Sequence, residues 1–196
     1  MKTQMNNSFT LIIKAAFLLA IIVLGACSDR KASAQKGSST QSSVKAPAVD
    51  IHTAVITDNV EALKQHIRAG TNLNEEDPFG GSSPLISAAL FGKTEAAKIL
   101  IEAGADVNFQ NNDGSTALHT AAFFCRPEIV KILLDKKADK TVRNKYGSTA
   151  YESVAGPFND LKSTYDIMGQ MLTPMGLTLD YPYIEKTRPE IAAMLK

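Results

Sequence analysis

Two blocks of this sequence recur at a constant distance of 33 residues, and this period constrains the fold more than any other feature. The segment SPLISAA at 83–89 returns as TALHTAA at 116–122, and TAY follows at 149–151. The segment EAAKILIEAGAD at 95–106 returns as EIVKILLDKKAD at 128–139. A period of this length is typical of solenoids, in which each unit buries its apolar face against the neighbouring units.

Local signals within one period predict a helix with one buried face. Pro127 suits a first helical position, where a missing N–H costs nothing, and Glu128 complements the positive end of the helix. Ile129, Ile132 and Leu133 then follow at the spacing of a single helical stripe. An earlier copy of the unit begins near residue 51 at a spacing of 34, with its extra residue in the loop at 77–81.

The motifs TALHTAA, VKILL and GADVN, together with the period, resemble the ankyrin repeat family over about residues 49–151. The resemblance implies an all-α solenoid of about four helix-turn-helix repeats with finger loops, at about 48–76, 77–110, 111–143 and 144–196. It also implies a structural His119 that is hydrogen-bonded to Thr116 and the neighbouring backbone. Gly104 is predicted to end its helix in the left-handed conformation, and Lys137 takes the same place one repeat later.

The fourth repeat contains an insertion. RPEIAAML at 188–195 repeats RPEIVKIL at 126–133 at a distance of 62 residues, which exceeds one period by 29. We therefore predict a final helix over 189–195 that is the second helix of repeat four, with inserted residues at 156–187. Apolar residues at helical spacing predict an amphipathic helix over about 160–172 within the insertion.

The N-terminal stretch predicts export and anchoring. Residues 1–26 have a polar start with Lys2, an apolar centre and a small-residue end, which is the layout of a secretory signal. The run LGAC resembles the lipobox of bacterial lipoproteins and implies lipidation of Cys27, followed by a flexible tether over 27–47. The expected location is the bacterial cell envelope, on the outer membrane facing the periplasm. An uncleaved transmembrane anchor, or a Cys27 that merely follows a cleavage site, is the alternative.

The reactive side chains and the net charge of the sequence favour a binding protein. We expect this protein not to be an enzyme and to use no cofactor and no metal. His119 and Cys125 lie six residues apart, on different faces of a helix, and so do not form a nucleophile and base pair. The charge of the whole chain is +1, so we expect no nucleic acid as a partner. An alternative function is redox or oxidative-stress support in the envelope through Cys125.

The expected partner is a protein that binds residues the repeat stack itself does not require. Aromatic and arginine side chains carry much of the energy at protein interfaces, and the fingers also offer polar contacts. The alternative for the aromatic rings is packing between repeats. The candidates for partner binding are Phe79, Leu90, Phe91, Asn112, Asp113, Phe123, Phe124, Arg143, Lys145 and Tyr146.

Overall fold

The structure is a computed structural model that describes residues 45–196. The predicted signal, Cys27 and nearly all of the tether lie outside this range. Every regular element between 45 and 196 is helical, and none of these helices is both long and apolar enough to cross a bilayer. The helices are α1 (Ile51–Ile56), α2 (Val60–Arg68), α3 (Pro84–Phe91), α4 (Thr94–Glu102), α5 (Ala117–Phe123), α6 (Pro127–Asp135), α7 (Glu152–Ala155), α8 (Phe158–Leu172) and α9 (Tyr181–Leu195), with a 3-10 turn at Thr173–Met175.

The helices stack in two parallel rows, as an ankyrin repeat solenoid requires. The first helices of the four repeats, α1, α3, α5 and α7, each contact the next in the row. The second helices, α2, α4, α6 and α9, do the same. Because α9 contacts both α6 and α7, it is the second helix of the fourth repeat, and α8 is inserted between the two helices of that repeat.

Small residues set the spacing of the first row, and leucines fill the space between the rows. Four alanines are fully buried where α3 and α5 meet, namely Ala88, Ala89, Ala121 and Ala122. Their small side chains let the two helices approach closely. In the first repeat, His66 stands where the next repeat has Leu100. It is also buried, and its ring nitrogens bond the Thr71 hydroxyl and the Val49 carbonyl.

At two turns, equivalent residues of the second and third repeats share the left-handed backbone conformation. The turn between the paired helices has Gly92 at φ +67°, and its equivalent in the next repeat is Cys125 at +53°. The turn after the second helix has Gly104 at φ +94° and Lys137 at +60°, as the sequence predicts. Cys125 and Lys137 therefore hold a conformation that costs an L residue about 1–2 kcal/mol.

The second helix of the fourth repeat begins earlier than the sequence indicates. The predicted helix over 189–195 is the second half of α9, which begins at Tyr181 and runs through Pro189. Asp180 accepts a hydrogen bond from the Tyr183 N–H, and a proline in the first turn also favours the start there. The predicted insertion at 156–187 therefore includes the first seven residues of α9. The amphipathic helix α8, in contrast, is confirmed with a start two residues earlier than predicted.

The insertion forms a second, smaller core against α5 and α9. Its buried residues are Cys125, Tyr165 and Ile184. The ring of Tyr165 stacks on Phe123 with 4.5 Å between the ring centroids, and on Phe158 at 5.7 Å. The insertion is thus built into the end of the array by burial of aromatic surface.

Candidate protein-binding surface

Three finger loops precede α3, α5 and α7, and a side-chain oxygen organises each loop from within. Asp77, Asn111 and Asn144 occupy equivalent positions and accept backbone N–H groups two to five residues further along, at 2.7 to 3.1 Å. Partial burial raises the pKa of Asp77, but the three N–H donors outweigh this effect and lower its pKa below the ordinary value. The carboxylate is therefore charged at neutral pH and holds the first of these turns firmly.

Successive fingers are joined by backbone hydrogen bonds. The Asn112 N–H donates to the Gly80 carbonyl at 3.0 Å, and the Lys145 N–H donates to the Asp113 carbonyl at 2.8 Å. Gly81 has φ +64°, and a Cβ there would lie 2.8 Å from Cγ of Asn112. A glycine is needed at this contact, which brings the finger at 77–82 against the next finger. The three fingers form a connected row.

The row presents one aromatic side chain that is almost completely exposed. Phe79 lies at the tip of its finger and is 91% exposed, although its own backbone N–H is held by Asp77. Tyr146 lies on the third finger, beyond the finger of Asn111, and is 38% exposed. Burial and the charge of Asp113 raise the pKa of Tyr146, so the phenol is neutral at physiological pH. Asn112, Asp113 and Lys145 are exposed beside these rings.

Comparison with known proteins identifies the architecture. The model of the family "Ankyrin repeats (3 copies)" matches residues 51–144. This part of the chain consists of ankyrin repeats. The array is similar to the ankyrin repeat domain of Bcl-3, described as a unique member of the IkappaB protein family, with 30% identity and a TM-score of 0.51. That match covers 53% of this chain and 45% of the Bcl-3 chain.

A human relative shares a shorter segment. The DNA-binding protein RFXANK from Homo sapiens is 37% identical over 59 residues, which are 30% of this chain and 23% of that protein. The chain therefore spans less than half the length of either relative. Ankyrin repeats are typically interaction scaffolds without catalytic activity, which agrees with the sequence prediction of a binding protein.

The three residues predicted to be structural, Thr116, His119 and Gly104, lie at helix ends of the ankyrin array. His119 accepts the Thr116 N–H at Nδ1 and donates from Nε2 to the Ser148 carbonyl, 3.2 and 3.1 Å away. Burial lowers the pKa of His119, against the opposing effect of two backbone carbonyls. The neutral imidazole thus ties α5 to the following finger, and Gly104 ends α4 in the left-handed region.

Arg143 is an exposed candidate that already has a partner within the chain. Its guanidinium binds both carboxylate oxygens of Glu152, at 2.6 and 3.0 Å. Hydrogen bonds from Arg143, followed by the Thr149 N–H, lower the pKa of Glu152 to about 2. Binding of a partner carboxylate by Arg143 would require this pair to open, so Arg143 primarily fixes the last finger to α7.

The candidates at the ends of the first helices do not form one surface with the fingers. Phe124 is only 4% exposed and belongs to the interior, so its assignment to a binding surface is wrong. Phe123 is half-buried because Tyr165 of the insertion stacks on it. Leu90 and Phe91 are half-buried at the end of α3, where the Leu90 carbonyl accepts a bond from Arg126. The Tyr165 ring supplied by the insertion thus explains Phe123, and Phe124 packs against the edge of the Phe123 ring at 5.2 Å.

Cys125 lies in an environment that suppresses thiol chemistry. It is completely buried, and its sulfur lies 3.6 Å from the Ile184 carbonyl. Burial raises its pKa to about 11, against the lowering effect of Arg188 and Arg126. Because the thiolate is the reactive form, these observations oppose a redox role for Cys125. Within residues 45–196, no cluster of three or more His, Cys, Asp or Glu side chains is arranged to hold a metal ion.

Proposed function

We propose that this protein is a scaffold of the bacterial cell envelope that is anchored by lipid at Cys27 and binds a protein partner through its finger row. The exposed ring of Phe79 is the observation that carries the binding part of this proposal. The lipobox LGAC and the polar segment that follows it support the anchor. In this arrangement the tether lets the ankyrin array search for its partner within about 25 Å of its anchor point.

Phe79 combines a large exposed apolar area with a fixed backbone. Its burial against a partner would contribute about 1.5–3 kcal/mol. The turn held by Asp77 already orders the backbone at this position, so binding loses little further backbone entropy. A single aromatic side chain that is fully exposed on an ordered turn has the properties of an interface anchor.

Chemical cross-linking in intact cells, followed by recovery of the protein, tests the finger row. We expect Phe79→Ser to weaken binding of the principal partner about tenfold or more, and so to reduce its recovery, while the helical content stays unchanged. Met175→Ser is the matched control, because it also removes an exposed apolar side chain, outside the fingers. Equal recovery with wild type and Phe79→Ser would refute binding through Phe79, and loss only with Met175→Ser would place binding on the insertion.

Fractionation of cells tests the anchor independently. We expect Cys27→Ser to abolish labelling by a fatty acid analogue and to release the protein from the membrane fraction. A Cys27→Ser protein that stays in the membrane at full precursor size would instead support the uncleaved transmembrane anchor. Neither outcome depends on the finger row, so the two parts of the proposal can fail separately.

A further inference from the structure

Positive charge is concentrated in one stretch of the array. Residues 45–196 carry 16 basic and 19 acidic side chains, but residues 131–145 carry six basic and two acidic ones. This stretch therefore has a net charge of +4, whereas the rest of the described chain has a net charge of −7. The basic residues are Lys131, Lys136, Lys137, Lys140, Arg143 and Lys145.

The lysines of this stretch are available for an external partner. Arg143 is bound to Glu152, but none of the five lysines forms an ion pair with another residue between 45 and 196. All five are exposed. One of the two acidic residues, Asp139, is turned towards its own loop, where Oδ1 accepts both the N–H and the hydroxyl of Thr141. No carboxylate between 45 and 196 therefore lies within ion-pair distance of these five ammonium groups.

A cleft of about 640 Å³ lies within this basic region, between the end of α6 and the end of α9. Its apolar wall consists of Leu134, Ala138 and Met194. Lys137 and Lys140 stand on the loop that forms the other wall, together with Asp139 and Thr141. The cleft can thus take one apolar side chain beside two ammonium groups.

We propose that this cleft binds an acidic, extended segment of a partner protein, with one aliphatic side chain of that segment on Leu134 and Met194. The proposal rests on the proposed function in that the partner is a protein, but it uses a surface distinct from the finger row. Complementary charge would accelerate association and fix the direction of the segment, while the apolar contact would add affinity. No aromatic side chain lines the cleft in the described structure, so stacking of nucleic acid bases is not provided.

Binding of synthetic peptides to the purified protein tests the proposal by fluorescence anisotropy. The probe is a short peptide of alternating glutamate and serine with a central leucine, and a second peptide has glycine in place of the leucine. We expect the leucine peptide to bind about three- to tenfold more tightly than the glycine peptide. Lys137→Glu combined with Lys140→Glu should weaken binding of the leucine peptide at least about tenfold, and salt should weaken wild-type binding.

The matched control combines Lys98→Glu with Lys186→Glu, which changes the net charge equally at two exposed lysines away from the cleft. We expect this control to bind the leucine peptide within about threefold of wild type. If both double variants lost the same affinity for the leucine peptide, long-range charge attraction alone would explain the loss, and the proposed binding site would be refuted. If the two peptides bound equally well, or if a single-stranded oligonucleotide or phosphatidylglycerol vesicles bound more tightly than the leucine peptide, an acidic peptide with an aliphatic side chain would not be the ligand of this cleft. Phe79→Ser should leave peptide binding unchanged, so failure here is distinguishable from failure of the finger row.

Discussion

Replacement of Tyr165 by phenylalanine tests whether the insertion is bonded into the array as the structure shows. The Tyr165 hydroxyl donates to the Phe123 carbonyl at 2.7 Å and accepts a hydrogen bond from Nη1 of Arg188 at 2.9 Å. Arg188 is 2% exposed, and its other bonded nitrogen, Nη2, donates to the Gly156 carbonyl. Its Nε is buried with no partner in the described structure. One hydroxyl therefore satisfies two buried groups.

The expected loss of stability follows from these two bonds. Tyr165→Phe keeps the stacked ring but leaves the Phe123 carbonyl and Nη1 of Arg188 without this partner. A buried neutral hydrogen bond contributes about 1 kcal/mol, and one to a charged group about 1.5–3 kcal/mol. We therefore expect the free energy of unfolding to fall by about 2–4 kcal/mol.

Arg188→Met provides the comparison that makes this test specific. It removes the buried charge while Tyr165 can still donate to Phe123. Because burying a guanidinium without a carboxylate partner is costly, we expect Arg188→Met to destabilise less than Tyr165→Phe. The double variant should lose less free energy of unfolding than the sum of the two single losses, because both substitutions remove the same hydrogen bond between Arg188 and the Tyr165 hydroxyl.

Urea denaturation followed by circular dichroism gives the overall stability of these variants, and amide hydrogen exchange locates the effect. Protection should fall in α8 and α9 first, because stability in a repeat array is set mainly by nearest-neighbour interfaces. A Tyr165→Phe protein that loses less than about 0.5 kcal/mol would refute the reasoning, since this is the size of an ordinary surface substitution. Greater destabilisation by Arg188→Met than by Tyr165→Phe would show that the guanidinium, and not the hydroxyl, holds the insertion.

Three further outcomes follow from the backbone, the core and the buried thiol. Lys137→Gly should raise the free energy of unfolding by up to about 1 kcal/mol, because φ is +60° there, whereas Lys136→Gly at φ −93° should lower it. Ile191→Asp should lower the free energy of unfolding by about 3–5 kcal/mol, and with it the melting temperature, because it places an unpaired charge at a fully buried position. Glu190→Ala, at the exposed neighbouring position, should leave the melting temperature unchanged. The pKa of Cys125 is raised from 9.0 to about 11, so its contribution to stability is fully present below pH 9 and is lost as the pH rises through 11. Rapid labelling of Cys125 by a thiol reagent in the native protein at pH 8 would contradict its burial.

The period made most of the array predictable from sequence, because the same local rules apply in each repeat. The exchange of Gly92 for Cys125 and of Gly104 for Lys137 was visible by alignment, and each pair takes the left-handed conformation. The match between residues 126–133 and 188–195 located the last helix in the second row. A repeat pattern carries this information because equivalent residues meet equivalent neighbours.

Other features could not be derived from the period. Phe124 aligns with Phe91, which is half-buried, so the alignment did not mark Phe124 as an interior residue, and the contact between Tyr165 and Arg188 has no counterpart in the period. The start of α9 was missed for a different reason: Pro189 aligned with Pro127, which does begin a helix. The signal that could have located the true start was Asp180 before a proline in the first turn.

The arginines of the repeated segment show how the insertion joins the array. Arg126 donates directly to the Leu90 carbonyl, whereas its equivalent Arg188 reaches Phe123, which lies one period after Leu90, through the Tyr165 hydroxyl. The insertion has therefore entered an existing contact between neighbouring repeats. Its buried cluster includes no finger residue. An insertion held in this way packs on the fourth repeat and leaves the finger row and the basic cleft uncovered, as the two proposed binding surfaces would require.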